Sequence, residues 1–183
     1  MGNLFSLLLG TESDAAFEVF PLLRRANNQE RALKAAAKYT LSGQELTAFK
    51  AVMNVHKSLE TERDYLAHGC FGVCPDDPSL LFCIAVKHHV HFQTETLSKV
   101  SKGEFAAERH ARLKKNLYVY RPTDLQRLYE DMEQFWRAIF YFNGYRREPK
   151  NAGRAAEFQR LCAFPQIQQA ISRLNAGRKN KRR

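Results

Sequence analysis

The sequence lacks the short motifs by which several large classes of enzyme are recognised. It has no glycine-rich phosphate loop, no Gly-x-Ser-x-Gly turn and no His-Glu-x-x-His helix. Nucleotide hydrolysis on a phosphate loop, acyl transfer by an activated serine and metalloprotease chemistry therefore find no support in it. Long hydrophobic runs are missing as well, since the N-terminal MGNLFSLLLG holds a short apolar stretch with no basic segment before it. These features predict neither a secretory leader nor a membrane span.

Cysteine is scarce, with four residues in the chain: Cys70, Cys74, Cys83 and Cys162. Without a leader, they predict reduced thiols in a cytoplasmic protein. Three histidines follow the first two cysteines, at a predicted strand edge: His88, His89 and His91. Together they raise a zinc site as an alternative, although such sites usually combine two closely spaced ligand pairs and this histidine cluster is not a standard second pair. We therefore expect no metal and no other cofactor.

Acidic residues are scarce in the last part of the chain, where most of the net charge lies. From Gly144 onward eleven Lys or Arg face two acids, giving +9, whereas Met1 to Asn143 hold 18 against 17, giving +1. Residues 144–174 contain one amphipathic helix by their spacing of apolar side chains. The last nine residues include five basic ones: Arg178, Lys179, Lys181, Arg182 and Arg183. This composition is typical of a disordered basic tail.

The basic tail predicts attraction to the phosphate backbone of RNA, an interaction that is largely independent of sequence and weakened by salt. A contribution to solubility and binding to an anionic membrane would use the same charge. We expect RNA and not a membrane as the partner. The chain is thus predicted to consist of a helical domain, residues 1–143, and a basic C-terminal segment, residues 144–183.

Proline is absent between Gly43 and His68, and so is any further glycine, which predicts one long helix there. Six residues fall in one band of this helix at about 100° per residue: Phe49, Val52, His56, Leu59, Arg63 and Leu66. Arg63 is therefore expected inside an apolar stripe. Other patterns predict helices near 13–23, 27–39, 104–115 and 123–143, and strands at 80–86 and 116–120. The expected fold is mainly α, an antiparallel helical bundle with a small two-stranded β ribbon.

The end of the long helix gathers side chains suited to acid–base chemistry. Asp64 and His68 are four residues apart, so their side chains are expected to meet on one edge of the helix. Gly69 is the residue expected to end the helix in a left-handed conformation, which places His68 in the last turn, where the helix dipole favours imidazolium. Arg63 lies about 140° around the helix from His68. Both side chains can still border one cleft if a second helix or a second copy packs there.

The run Glu62-Arg63-Asp64-x-x-x-His68-Gly69 at the end of a long helix resembles the Arg-x(4 to 6)-His motif of the HEPN superfamily. The resemblance implies a compact helical domain, a pair of copies across a groove, and metal-independent endoribonuclease activity. It further implies that Arg63 stabilises the phosphorane charge, that His68 transfers a proton to or from the ribose 2′-hydroxyl, and that Asp64 orients His68. A regulatory protein partner is a further expectation.

Three readings of these residues remain open. The first is the ribonuclease, with Arg63, Asp64 and His68 as its catalytic residues. The second is a non-catalytic HEPN-like binding or dimerisation module, in which Arg63 and His68 bind a ligand or close a dimer interface and the basic tail contacts RNA. The third is a basic accessory protein of unrelated fold, in which Arg63 and Asp64 form an ordinary ion pair and His68 caps its helix.

Overall fold

A computed structural model describes residues 1–10, 14–100, 115–148 and 151–180 of the chain. The fold of this part is mainly α, as predicted, with eight helices and three strands. The helices are α1 (Gly2–Leu8), α2 (Asp14–Leu22), α3 (Ala26–Thr40), α4 (Gly43–His68), α5 (Val86–Val100), α6 (Pro122–Arg147), α7 (Ala152–Ala163) and α8 (Pro165–Asn180). The strands are β1 (Gly69–Val73), β2 (Leu81–Ala85) and β3 (Leu117–Tyr120). None of the helices within the described ranges is long and apolar enough to cross a membrane.

The predicted long helix is confirmed at both ends, since α4 runs from Gly43 to His68. The predicted helix at 27–39 corresponds to α3, and the two predicted strands correspond to β2 and β3. The predicted helix at 104–115 falls almost wholly outside the described residues. Two compact units make up the chain, Met1–Lys57 with Met132–Arg183, and Ser58–Asp131. Their boundaries lie inside α4 and α6, and the expected domain boundary at residue 143 also falls inside α6.

The first unit is held together by apolar side chains that are almost completely withdrawn from water. They are Leu4, Leu8, Leu33, Phe49, Val52, Phe142, Leu161 and Ile167. Leu4 and Leu8 come from α1, so the short apolar run at the N-terminus belongs to the core of this unit. The rings of Phe49 and Phe142 lie 6.5 Å apart between centroids. Burying each such side chain contributes about 1.5–3 kcal/mol.

The prediction that Asn143 and Gly144 end the helix was wrong, because α6 continues to Arg147. Gly144 serves a packing role inside the helix. A Cβ atom built there would lie 2.1 Å from Oε2 of Glu157, a residue of α7. The glycine therefore allows close approach of the Glu157 carboxylate to the backbone of α6.

Two aromatic residues of α6 are exposed, although their helical spacing is typical of a buried face. Trp136 is 66% exposed and Phe140 71%. The apolar face that this unit buries is formed instead by Phe135, Ala138, Ile139 and Phe142. Aromatic spacing along α6 fits more than one face, so sequence periodicity could not tell which face is covered. Nucleic-acid bases can stack only on aromatic rings that are exposed. Trp136 and Phe140 meet this condition.

Tyr145 is joined to Glu45 across the first unit, and this bond predicts a dependence of stability on alkaline pH. The Tyr145 hydroxyl donates to Glu45 Oε1 at 2.6 Å. Burial, followed by this hydrogen bond, raises the pKa of Tyr145 to about 12. The folded protein therefore keeps the phenol proton between pH 10 and 12, where the unfolded chain loses it, so this group's contribution to stability falls as the pH rises through that range.

We expect Tyr145→Phe to lower the free energy of unfolding by about 1 kcal/mol at pH 7. Urea unfolding of both proteins from pH 8 to 11.5 measures the difference. The difference should shrink above pH 10, where the wild type loses the contribution of the tyrosine. A difference that stays constant over the whole range would contradict this role of the hydroxyl proton.

The second unit contains an antiparallel sheet in the order β1-β2-β3. The predicted two-stranded ribbon is therefore one strand short, because residues Gly69–Val73 form the additional strand β1. The register places Gly69 opposite Ala85 and Cys83 opposite Tyr118. Cys83 is fully buried and its Sγ donates to the carbonyl of Tyr65 at 3.2 Å. The sheet is thereby joined to the last turns of α4.

Candidate functional site

A cavity of about 270 Å³ lies at the C-terminal end of α4. Its lining consists of Thr61, Asp64, Tyr65, His68, Ala85 and Lys87. The four residues from α4 are spaced three, one and three apart, which puts them on one face over two turns. The other two come from the end of β2 and the start of α5. The pairing of β1 with β2 brings these two groups of residues together. It places Ala85 opposite Gly69, the residue after His68.

The structure brings Asp64 and His68 to the same cavity and leaves Arg63 out of its lining. Arg63 Nη2 donates to Asp64 Oδ1 at 2.7 Å, and both side chains are exposed. This carboxylate raises the pKa of Arg63 above its ordinary value. Within the described residues, the hydrogen bond of Asp64 is therefore with Arg63. The sequence had predicted that the Asp64 side chain meets His68 instead.

The prediction that Arg63 lies inside an apolar stripe was wrong. Phe49, Val52 and Leu59 in the same band are buried, but Leu66 is half-buried and the side chain of Arg63 is 62% exposed. A guanidinium in water avoids the free energy of desolvation that burial without a matched partner would cost. Arg63 can therefore meet a phosphate from the solvent side of Asp64.

Lys87 is a cavity residue that the sequence did not single out. It is the second residue of α5, and its side chain is exposed. Nineteen positions separate it from His68, so helical spacing gives no signal for it. The pairing of β2 with β1 could have indicated Lys87, because this pairing places the residues just after β2 next to the end of α4.

Gly69 has a different role from the predicted one. Within the described ranges a positive φ is found at Gly10 and Gly43, and not at Gly69, so this residue does not end α4 in a left-handed conformation. It is the first residue of β1 and packs against the buried Cys83. The helix passes directly into the strand, which fixes His68 at the junction between them.

The expected zinc alternative finds no matching geometry. The histidines His88, His89 and His91 lie on α5 and not at a strand edge, because α5 begins directly after β2. Within the described residues no three side chains of His, Cys, Asp or Glu are grouped closely enough to hold a metal ion. Cys70 and Cys74 lie on β1 and just after it, as free thiols.

The basic tail is partly helical. The helix α8 extends to Asn180 and includes Arg178 and Lys179, where the sequence predicted disorder from residue 175 onward. Arginine, lysine and alanine are good helix formers, and Ile167 at the start of α8 is buried, so an anchored helix can continue through them. Three of the residues predicted to bind RNA, Lys181, Arg182 and Arg183, lie outside the described residues.

No protein-family model, curated protein or solved structure matches this chain. The resemblance to the HEPN motif therefore rests on residues 62–69 and on their position at the end of α4.

The cavity combines three groups with distinct chemical capacities. The imidazole of His68 carries ring nitrogens that can donate or accept a hydrogen bond. The ammonium of Lys87 can offset negative charge on a bound anion. The carboxylate of Asp64 accepts hydrogen bonds and holds the guanidinium of Arg63 beside the cavity. Together these groups are suited to proton transfer next to a phosphate.

Proposed function

We propose that this chain is a metal-independent endoribonuclease of the HEPN type. It would cleave RNA by attack of a ribose 2′-hydroxyl on the adjacent phosphorus, which expels the 5′-oxygen of the next nucleotide and leaves a 2′,3′-cyclic phosphate. The observation that carries the proposal is the cavity at the end of α4, where His68, Asp64 and Lys87 line one space beside Arg63.

Each side chain has a role in this reaction. His68 transfers a proton, as general base for the 2′-hydroxyl or as general acid for the leaving oxygen. Lys87 and Arg63 stabilise the negative charge that develops on the phosphorane. Asp64 holds the Arg63 guanidinium at the rim of the cavity through the 2.7 Å hydrogen bond.

A homodimer would let two imidazoles share the proton transfers of this reaction. Attack removes a proton from the 2′-hydroxyl, and departure of the 5′-oxygen takes one up. Among the residues that line the cavity, His68 is the one imidazole. A second copy packed across a groove would supply the other from its own His68. A protein that covers the same groove would serve as the regulatory partner of such a nuclease.

The test is incubation of the full-length protein with single-stranded RNA in excess EDTA. We expect cleavage products that end in a cyclic phosphate, and no cleavage of a substrate with a 2′-deoxy sugar at the cut position. Arg63→Ala and His68→Ala should both reduce the rate. RNA that stays intact with folded protein at every concentration would overturn the proposal.

The second candidate function is a non-catalytic HEPN-like module that binds RNA. It is favoured by the exposed Arg63–Asp64 pair, because Arg63 lies outside the cavity lining and the two side chains have the geometry of a surface ion pair. Such a module would bind RNA with the same affinity after His68→Ala and would leave the RNA uncut. Binding and cleavage measured on one RNA separate the two functions.

The basic end of the chain is expected to recruit RNA. Replacing Arg178, Lys179, Lys181, Arg182 and Arg183 by glutamine removes five positive charges and should weaken RNA binding most at low salt. For a single strand the slope of log K against log salt should become shallower by up to about 0.7 for each lost phosphate contact. Fluorescence anisotropy at salt concentrations between about 50 and 300 mM measures this slope.

A control for this variant replaces Arg24, Arg25 and Arg31, three basic residues of the first unit far from the chain end in sequence. Their replacement by glutamine should leave the salt slope nearly unchanged. Truncation at residue 143 is unsuitable, because α7 and α8 contribute the buried Leu161 and Ile167 to the core. An unaltered slope in the five-residue variant would contradict RNA recruitment by this segment.

A further inference from the structure

A second cavity lies beside the first in the unit formed by residues 58–131 and measures about 570 Å³. Thr61 and Tyr65 line both cavities. The two spaces are therefore neighbours across one turn of α4. A strand of RNA with its phosphate at His68 would place a flanking base in the larger space. We propose that this second cavity is a binding site for a guanine base, an inference that rests on the proposed ribonuclease function.

Three tyrosines provide flat surfaces in this cavity: Tyr65, Tyr118 and Tyr120. The rings of Tyr65 and Tyr118 lie 4.3 Å apart between centroids and are inclined by 36°. This contact orders both rings before any ligand enters. Unstacked bases of single-stranded RNA are commonly held against such aromatic faces. The size of the cavity is within the range of small-molecule sites and suits a nucleotide.

The polar residues of the cavity offer both an acceptor and a donor. Glu62 has no hydrogen-bond or ion-pair partner within the described part of the chain, so its carboxylate is available to a ligand. Asp124 is already engaged, since its Oδ2 accepts from the backbone N–H of Arg121 at 2.9 Å. Arg127 lies 3.8 Å from Asp124, which is a loose contact and leaves guanidinium N–H groups for a ligand.

Guanine matches this pair of groups better than the other bases. Its N1–H and N2–H₂ groups donate side by side and can both bond one carboxylate, as Glu62 offers. Its O6 and N7 atoms are adjacent acceptors that an arginine can contact with two N–H groups. Adenine, cytosine and uracil each place an acceptor next to the donor on the Watson–Crick edge, which would face the carboxylate unfavourably. A purely cationic ligand is disfavoured because Arg127 also lines the cavity.

The experiment is a calorimetric titration of the full-length protein with GMP, AMP, CMP and UMP separately. We expect GMP to bind at least tenfold more tightly than the other three. Glu62→Gln and Tyr120→Leu should each weaken GMP binding about tenfold, and Glu130→Gln, an exposed residue outside the cavity lining, should leave it unchanged. Circular dichroism of the variants checks that they are folded.

The binding results test the guanine site independently of RNA cleavage. Equal binding of the four nucleotides or absence of GMP binding would overturn the guanine site, even if RNA is cut in EDTA. Selective GMP binding that Glu62→Gln removes supports the site, even if RNA stays intact and the proposed cleavage fails. When both hold, cleavage should favour a guanine next to the cut phosphate, and Glu62→Gln should remove that preference.

Discussion

Replacing His68 by alanine is expected to lower the rate of RNA cleavage by a factor of about 10²–10⁴. The reason is that His68 is the imidazole among the residues lining the cavity, and alanine can neither accept nor donate a proton. Because His68 is exposed at the end of α4, the substitution should leave the fold intact. Initial rates on a fluorescent RNA in EDTA measure the loss. Anisotropy with the same RNA should show unchanged binding, so the loss belongs to kcat and not to KM.

The matched control is His89→Ala, a histidine of α5 that belongs to the same unit but does not line the cavity. Its cleavage rate should stay within about twofold of the wild type, since it has no part in proton transfer. A variant at His68 that cleaves as fast as the wild type would remove the basis of the proposed mechanism. Equal losses in both variants would point to a general effect on folding instead.

A second large effect is expected at Gly69. A Cβ atom there would lie 2.3 Å from Sγ of Cys83 and 2.6 Å from the carbonyl oxygen of Tyr65. Cys83 is fully buried and the carbonyl is backbone of α4, so neither can move aside without displacing the sheet or the helix end. We therefore expect Gly69→Ala to lower the free energy of unfolding by about 3 kcal/mol. Urea denaturation followed by circular dichroism measures this value.

Gly72→Ala is the control, because Gly72 lies on the same strand and a Cβ there has no atom within 4 Å. This change should be neutral, or stabilise the protein by about 0.4–1 kcal/mol through the lower entropy of the unfolded chain. Equal effects of the two substitutions on the free energy of unfolding would contradict the prediction that close packing requires a glycine at position 69. Gly69→Ala should also slow RNA cleavage, since it displaces the residue next to His68.

Local patterns were sufficient for much of the fold. The helix from Gly43 to His68 follows from a run without proline or inner glycine, and its buried band from Phe49 to Leu59 follows from helical spacing. The strand β2 was recognisable from its branched and aromatic residues. These features depend on interactions between residues close in sequence, which is why the pattern predicts them.

Other assignments failed where the outcome depended on distant neighbours. Arg63 has the spacing of a buried residue but is exposed, whereas Phe49, Val52 and Leu59 of the same band are buried. Gly144 looks like a helix stop but lies inside α6, where Glu157 of α7 lies close to it. Residues 69–73 were not predicted as a strand, because Gly69 and Gly72 weaken the strand pattern, and pairing with β2 overrides it.

The sequence by itself determined the mainly α fold, the long helix α4 and the placement of Asp64 and His68 at its end, since helix spacing follows from local geometry. The tertiary structure decided which side chains share a cavity. Strand pairing brings Lys87 beside His68 and the tyrosines of β3 beside Glu62, across separations of nineteen residues and more. No periodic pattern encodes such contacts, because they depend on how strands and helices far apart in the chain pack together.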